Sequence, residues 1–394
     1  MRKSMFLFLL CCLSGIISIQ AEEPSYTITD NAISEPLNNL TGDPARGRLL
    51  AKNRNKGNCI SCHQLPIPEE EFHGTIGPAL YDISNKFNAA DLRLRIVDMQ
   101  RLNPFTIMPS YYLSTRYINR IAPQYEGTTI LSAQEVEDLI AYLKTLKAPD
   151  KAIEANTLPI PDGLKSGYEF ISQEAREMQD DDFQNPGYEL IELGKKLFAR
   201  PCDDDKSCAS CHGADGEQLS PASIAQYPKF IAELGKPLTL RDQIQRCWEN
   251  QLDNLPLLYD DRELLALETF LRYLAQGEKV NVDVSGPMKP YYEAGKKLYY
   301  TRFGQMNMSC DHCHDVHTGK MLRGQKLSQG HTNGFPEYRL EAQKMINLPQ
   351  RLRECFRSLR AETFEQDSDE FRDLEIYLNA RGNGLPIETP AIRY

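Results

Sequence analysis

Apolar residues recur at steps of three and four in several parts of this chain, which is the spacing of one face of an α-helix. The clearest case is the stretch 133–146, which opens with the residues of a helix-capping box, Ser132 and Glu135. Two further apolar stripes lie at 267–274 and 374–378. Little of the sequence favours strands, so the pattern predicts a mainly α-helical protein.

The two later stripes belong to an internal repeat. The stretch 194–198 (GKKLF) recurs 101 residues later as 295–299 (GKKLY), and the two stripes begin 107 residues apart. Several landmarks at nearly constant spacing predict that the second half of the chain arose by duplication of one helical domain.

The first part of the chain is built differently. A helix around 45–53 and the helix at 133–146 frame it, and the stretch 147–163, rich in Pro and Asp and without apolar period, is a predicted linker. We therefore divide the chain into a signal peptide at 1–21, a first domain at 22–147, a linker at 148–164, a second domain at 165–278 and a third domain at 279–394.

The amino-terminal segment indicates the compartment of the protein, and its net charge limits the partners that it can bind. Residues 1–21 have a basic start and an apolar run from Met5 to Ile19, the pattern of a secretory signal peptide, which predicts a periplasmic protein. A lipid anchor at Cys11 is the weaker alternative, because Leu10 stands where a small residue is needed. No later stretch reaches the roughly 18 apolar residues of a membrane span. A net charge of -10 gives no general affinity for nucleic acid.

Three CxxCH motifs, one in each predicted domain, carry the chemistry. The two cysteines of such a motif form thioether bonds to the vinyl groups of a haem, and the adjacent histidine reaches the iron. One motif alone could be a zinc half-site or a redox pair, but three in domains of small-cytochrome size predict three covalently bound haem c groups. The predicted attachment and axial residues are Cys59, Cys62 and His63; Cys208, Cys211 and His212; and Cys310, Cys313 and His314.

The ligand on the other side of each iron sets its chemistry. For the first domain the candidate is Met108, on a Met-Pro loop 45 residues after His63. Met99, or no residue at all, is the alternative. The second and third domains instead share a cysteine, Cys247 and Cys355, at corresponding positions. We predict that both are thiolate ligands, although buried structural thiols or a disulfide between them would have the same spacing.

The surroundings of these two cysteines differ. Arg351 precedes Cys355 by one helical turn if Pro349 is the first residue of a helix, whereas Gln243 holds the matching place in the second domain. The stretch 336–360 carries six basic residues against three acidic ones. A thiolate facing guanidinium groups has a lowered pKa and can bind a small oxyanion, which predicts a reactive Cys-Arg pair. A solvated basic helix face is the alternative. A further cysteine, Cys202, has no counterpart in the repeat.

These features together resemble one family. The chain is similar to the thiosulfate-oxidising Sox cytochrome, with its one-haem X subunit and its two-haem A subunit fused in one polypeptide. Residues 42–146 resemble the X subunit, and residues from about 166 to the end resemble the A subunit. The segments that carry the likeness are 57–63, 65–70, 77–78, 92–97, 103–104, 108–109, 135–138, 178–186, 335–340 and 382–390.

The resemblance implies a reaction, its partners and the roles of the site residues. An L-cysteine S-thiosulfotransferase couples thiosulfate oxidatively to a cysteine of a SoxYZ-like sulfur-carrier protein, and two electrons pass through the haems to a cytochrome c. Cys355 matches the active-site cysteine, which ligates the second A-type haem and can carry a persulfide sulfur. Arg351 matches the arginine that contacts substrate. Cys247 and Met108 match the distal ligands of the other two haems.

Two other classes of function compete with this one. A multihaem electron carrier without a substrate of its own needs no anion pocket, so an arginine beside Cys355 disfavours it. A dihaem peroxidase with an added cytochrome domain needs an iron open to peroxide, which three six-coordinate haems would not provide. Neither class explains the segments that resemble the A subunit.

Overall fold

The structure, a computed structural model, describes residues 24–113, 118–147, 162–202 and 205–394. This part of the chain is mainly α-helical, as the sequence predicts. The predicted signal peptide and most of the predicted linker lie outside the described residues. Within these ranges, no helix is both long enough and apolar enough to cross a membrane.

The first domain is a small helical unit closed by its last helix. The capping box predicted at Ser132 and Glu135 forms at the start of that helix, with each side chain accepting the other residue's backbone amide. A buried ion pair, Arg93 to Glu137 at 2.7 Å, joins the closing helix to the helix before it. The helices are α1 (Pro44–Lys52), α2 (Ile83–Lys86), α3 (Ala89–Asp98) and α4 (Ala133–Leu143).

The second and third domains share one order of elements. In each, a helix precedes the CxxCH motif, a hairpin precedes the helix that carries Cys247 or Cys355, and a 13-residue helix closes the domain. The second domain has α5 (Gln173–Asp180), α6 (Tyr188–Ala199), α7 (Cys208–His212), α8 (Pro221–Ile224), β1 (Lys229–Ile231), β2 (Lys236–Leu238), α9 (Leu240–Asn250) and α10 (Arg262–Leu274). The third has α11 (Lys289–Tyr300), β3 (Met321–Leu322), β4 (Gln325–Lys326), β5 (Glu337–Arg339), β6 (Lys344–Ile346), α12 (Leu348–Ser358), α13 (Asp369–Arg381) and β7 (Ala391–Arg393).

The short strands were not expected from the sequence. The pairs β1–β2, β3–β4 and β5–β6 are antiparallel hairpins, and β7 pairs in parallel with β5. Strands of two or three residues are too short to show an alternating apolar pattern, so periodicity cannot reveal them. A second difference concerns α12, which begins at Leu348 and not at Pro349. The reason is that the Asn347 side chain accepts the Gln350 amide and caps the helix one residue earlier.

One close contact between helices occurs three times. In each domain, a glycine on the helix that precedes the CxxCH motif packs against the backbone of the closing helix, where a side chain would collide. A Cβ atom built on Gly47 would lie 1.9 Å from the Asp138 carbonyl oxygen, one on Gly194 would lie 2.1 Å from that of Ala266, and one on Gly295 would lie 1.9 Å from that of Asp373. The helix preceding each CxxCH motif is therefore held at backbone contact with the helix that closes its domain.

This contact gives a stability prediction. Gly295→Ala should lower the free energy of unfolding by about 1–3 kcal/mol, because α11 and α13 must separate to admit the methyl group. Alanine's better helix propensity recovers only about 1 kcal/mol of a larger clash. Gly382→Ala is the matched control, since its Cβ would meet atoms no closer than 3.4 Å. Thermal unfolding of the haem-loaded protein checks this. Equal midpoints for the two variants would contradict the packing argument.

Buried charges join the second domain to the third. Arg241 of α9 lies between Glu268 of α10 and Glu375 of α13, at 2.6 and 2.5 Å. The apolar core of the second domain also takes in Ile376 and Ile387 of the third. A buried guanidinium is tolerated only when it is paired, so this arrangement fixes one orientation of the two domains.

Candidate active site

The first CxxCH motif lies on a tight turn after α1. The ring of His63 is held from its Nδ1 side by the carbonyl oxygen of Pro78, at 2.7 Å. Gly77 lies flat on that ring, and a Cβ there would come within 2.3 Å of the His63 Cε1 atom. A histidine whose Nδ1 donates to a carbonyl presents Nε2 as the free ligand atom, which is the orientation that a haem iron requires.

The third motif repeats this arrangement. The Nδ1 atom of His314 lies 2.9 Å from the carbonyl oxygen of Ser328. Gly330 packs on the ring, because a Cβ there would lie 2.7 Å from the His314 Cγ atom. In both domains the donor set and the glycine cradle therefore fit a covalently attached haem with its histidine on one axial side.

The second motif, on α7, is oriented by packing. The ring of His212 lies 6.3 Å from that of Phe198 on α6, and the hydroxyl of Ser207 caps α7. The pKa of the Cys208 thiol is raised to about 11, first by burial and then by the nearby Cys247 and Cys202. Cys247 thus lies near the second motif, as a distal ligand must, and the unexplained Cys202 lies there too.

Met108 packs against the apolar core of the first domain. Its backbone amide donates to the Thr106 hydroxyl at 3.1 Å, which stabilises the turn on which it lies. The alternative, Met99, begins the short 3₁₀ turn at Met99–Arg101 instead. Met108 remains the predicted axial ligand of the first domain.

The two repeated cysteines each meet the residue one helical turn before them. On α9, the Nε2 atom of Gln243 donates to the Cys247 sulfur at 3.2 Å. On α12, the strongest influence on the pKa of the Arg351 guanidinium is the nearby Cys355 sulfur, which raises it. No disulfide joins any of the nine described cysteines, so Cys247 and Cys355 are not paired with each other.

Cys355 lies close to the third motif. Burial raises the pKa of the Cys313 thiol to about 12, and Cys355 is the next cause, with Arg351 acting in the opposite sense. Burial likewise raises the pKa of Cys310, and Cys355 is again the second cause. The structure therefore brings together the predicted haem attachment site, the predicted distal cysteine and the predicted substrate arginine.

A second arginine, which the sequence did not single out, belongs to this cluster. Arg339 on β5 is only 7% exposed and lies 3.5 Å from the Glu337 carboxylate. Burial lowers the pKa of Arg339, with Arg351 the second cause, while Glu337 and Cys355 oppose the shift. Arg351 in turn contacts Glu354 at 3.4 Å. The site thus holds two guanidinium groups, two carboxylates and one thiol.

The other basic residues of the stretch 336–360 serve different purposes. Arg353 pairs with Asp260 of the second domain at 3.3 Å. Arg360 donates to the Asn55 carbonyl oxygen of the first domain at 2.7 Å. Arg357 is exposed. The stretch is therefore not one basic face, and only part of its charge is directed at Cys355.

A hairpin of the third domain brings the first and third motifs together. At its tip, the backbone amide of Arg323 donates to the Ser61 carbonyl oxygen, inside the first CxxCH motif, at 2.9 Å. Its guanidinium donates to the Lys52 carbonyl oxygen at 3.0 Å. Cys62 also contributes to the raised pKa of Cys313. The two attachment sites are consequently neighbours across this contact, which we call the β3–β4 seam.

Two family models match the chain. The model described as "SoxA/TsdA, cytochrome c domain" matches residues 193–280 and 294–387. The model described as "Cytochrome c" matches residues 44–147. Cytochrome c domains are therefore present in both halves of the chain.

Individual proteins similar to this chain are also known. The L-cysteine S-thiosulfotransferase subunit SoxA of Pseudaminobacter salicylatoxidans is 40% identical over 238 residues, which cover 60% of this chain and 82% of that protein. The same subunit of Paracoccus pantotrophus is 37% identical, over 59% of this chain and 80% of its own length. The crystal structure of SoxXA from P. pantotrophus superimposes with a TM-score of 0.55 at 35% identity, covering 59% of this chain and 87% of that one.

Proposed function

The chain belongs to the SoxA family of c-type cytochromes, and on this premise we propose that it couples thiosulfate oxidatively to a cysteine of a SoxYZ-like sulfur-carrier protein in the periplasm. The carrier thiol and thiosulfate give a cysteine S-thiosulfonate, one proton and two electrons. The electrons are accepted by a cytochrome c. The observation that carries the proposal is the guanidinium of Arg351 beside Cys355, next to the third CxxCH motif.

We assign three haem c groups to the three motifs. Their histidine ligands are His63, His212 and His314, and their distal ligands are Met108, Cys247 and Cys355 respectively. The shared order of elements in the second and third domains supports a duplication. Bound haem supplies a one-electron acceptor, which the side chains themselves lack.

The proposed chemistry at Cys355 is formation and exchange of a sulfur–sulfur bond. Thiosulfate, a dianion, is held by Arg351 and Arg339 with its outer sulfur against the Cys355 thiolate. The two sulfurs join as two electrons leave. The thiolate of the carrier cysteine then attacks the outer sulfur, so that a bond to the carrier forms and the bond to Cys355 breaks, which returns Cys355 as a thiolate.

The two acidic residues of the site have a defined part in this proposal. Glu337 contacts Arg339 at 3.5 Å, and Glu354 contacts Arg351 at 3.4 Å. Each carboxylate holds a long side chain in one orientation, which lowers the ordering cost of binding a small anion. A pre-oriented guanidinium pair also favours an oxyanion with several acceptor oxygens over a halide.

The contrast between the repeats disfavours a plain electron carrier. A distal cysteine needs only a neutral donor to stabilise its sulfur, which Gln243 gives to Cys247. One helical turn before Cys355, the matching position is occupied by Arg351, a cation. Its side chain is 30% exposed, so it can contact a ligand that arrives from solvent. Thiosulfate- and carrier-dependent reduction of cytochrome c by the purified protein tests the proposal. A protein that reduces cytochrome c only with artificial donors would be a carrier.

The β3–β4 seam gives a kinetic prediction. Arg323→Ala removes the hydrogen bond to the Lys52 carbonyl and the contact with Glu70 at 3.5 Å. The backbone bond to Ser61 remains, so the two domains stay joined but are held less tightly at this seam. Electron delivery to cytochrome c should fall by up to about 10-fold, since small displacements of reacting groups carry large rate costs. Stopped-flow measurement of cytochrome c reduction checks this.

Arg54→Ala is the matched control for Arg323→Ala. Arg54 also faces the third domain, but its partner Glu341 is 3.8 Å away and both side chains are mostly exposed. Such surface pairs contribute about 0–1 kcal/mol, so this variant should reduce cytochrome c as the wild type does. If both variants slowed cytochrome c reduction equally, the cause would be the loss of a positive charge and not the loss of the specific contact at the β3–β4 seam.

A further inference from the structure

Gln329, in the loop between β4 and β5, joins two distant parts of the chain. Its side-chain Nε2 donates to the Gly163 carbonyl oxygen at 2.7 Å, and its Oε1 accepts the Lys165 backbone amide at 2.8 Å. The side-chain amide thus pairs with the main chain as a neighbouring strand would. Gly163 and Lys165 lie where the predicted linker enters the second half of the chain, so this entry point is anchored to the third domain.

The same loop also holds the histidine of the third CxxCH motif. The carbonyl oxygen of Ser328, adjacent to Gln329, accepts from His314 Nδ1 at 2.9 Å, and Gly330 packs on the His314 ring. The residues before and after Gln329 therefore both contact the ring of His314.

Three further contacts lie at this loop and beside it. Arg381 of α13 donates to the Gln329 carbonyl oxygen at 3.0 Å and also pairs with Asp315, the residue that follows His314. The Nε2 atom of His331 lies 3.1 Å from the Gln329 Oε1. The loop is consequently fixed from its side chain, its main chain and the closing helix.

We propose that Gln329 is a positioning residue, through which the segment 163–165 fixes the hydrogen bond from His314 to Ser328. The proposal rests on the proposed function only in taking His314 as a haem ligand. When a histidine binds a metal through one ring nitrogen, the carbonyl that accepts a hydrogen bond from the other nitrogen sets the ring orientation and the basicity of the ligand. Mutations that disturb this hydrogen bond alter metal affinity or activity by about 10- to 100-fold. The entry of the linker and the proximal side of the third haem site thereby become one structural unit.

Gln329→Leu tests this in the haem-loaded, full-length protein. Leucine has a similar volume but leaves the Lys165 amide and the Gly163 carbonyl without the side-chain partner. The expected result is a shifted reduction potential and shifted low-temperature EPR g-values for one of the two cysteine-ligated haems, with the methionine-ligated haem unaffected. Hydrogen exchange at 163–167 should become faster, and turnover should fall about 10-fold.

Gln325→Leu is the matched control, because it removes one exposed hydrogen bond to Glu341, at 3.1 Å, from β4, the strand before this loop. If Gln329→Leu fails to fold, Gln329→Glu keeps the acceptor for Lys165 and loses the donor to Gly163, and a smaller shift in the same direction is expected. Faster exchange at 163–167 with unchanged potentials and g-values would overturn the inference, because Gln329 would then only anchor the segment. Failure of the proposed function would instead appear in the wild type, as absent thiosulfate turnover.

Discussion

Replacing Cys355 with methionine is expected to abolish thiosulfate turnover while three haems stay attached. A thioether sulfur can still bind iron, but it cannot form a sulfur–sulfur bond, so the proposed reaction loses its nucleophile and not its cofactor. Removing a nucleophile typically costs several orders of magnitude, so the loss should exceed about 10³-fold. The measurement is cytochrome c reduction with thiosulfate and carrier present, beside a haem-to-protein ratio from the absorbance spectrum.

Two other cysteine variants separate a chemical role from a structural one. Cys247→Met makes the same exchange in the second domain, where Gln243 replaces the arginine, and should lose much less turnover than Cys355→Met. Cys202→Ser changes a cysteine to which no role is assigned and should behave as the wild type. Normal turnover by Cys355→Met would remove Cys355 from the chemistry.

Arg351→Gln is expected to lower kcat/KM for thiosulfate by about 10²-fold. The variant gives Cys355 the neighbour that Cys247 has, a neutral donor in place of a cation. Arg351 is 30% exposed, and a hydrogen bond from a charged group contributes about 1.5–3 kcal/mol, which is roughly a 10- to 150-fold effect. Glu354 would also lose its contact at 3.4 Å, and Arg339 would be the remaining cation near the sulfur.

Arg357→Gln is the control for this variant. Arg357 lies on the same helix but is exposed, so the change in net charge is equal and only the position differs. At physiological ionic strength this variant should turn over at the wild-type rate. At low ionic strength, where surface charges are screened less, its rate should fall modestly. If both variants turn over normally, Arg351 is a surface charge and the substrate site lies elsewhere.

The sequence contained most of the information needed to predict the helices. The apolar stripe is clear in the closing helices α4 and α10, and the cap at Ser132 and Glu135 forms as the residues predict. The stripe is weak in α13, which buries every residue from Leu374 to Asn379. The glycine contact was visible only in part. Gly194 and Gly295 recur in the repeat, but the matching role of Gly47 follows from the packing of α1 on α4, which no local pattern reveals.

The candidate site was predictable where its residues are neighbours in sequence. Arg351 and Cys355 share a helix at a spacing of four, so helical periodicity places them together. Arg339 and Glu337 reach the same site from β5, which is brought there by a hairpin of three-residue strands. Counting charges over 336–360 does not distinguish the roles of Arg339 and Arg353. Arg339 lies near Cys355, whereas Arg353 pairs with Asp260.

Contacts between domains were beyond reach of the sequence alone. Arg323 and Gln329 carry no motif, and their partners lie in the first domain and at the end of the linker. Periodicity and motif spacing describe one domain at a time. The position of one domain on another depends on complementary hydrogen-bonding groups that are far apart in the chain.

The most direct test of the central claim is to count products and electrons together. The protein is incubated with thiosulfate, a sulfur-carrier protein with one reactive cysteine and oxidised cytochrome c, and the carrier is then weighed by intact-mass spectrometry. The proposal predicts one S-thiosulfonate on the carrier cysteine for every two molecules of cytochrome c reduced, and neither product with Cys355→Met. Reduction of cytochrome c without the carrier adduct, or adduct formation by Cys355→Met, would contradict it.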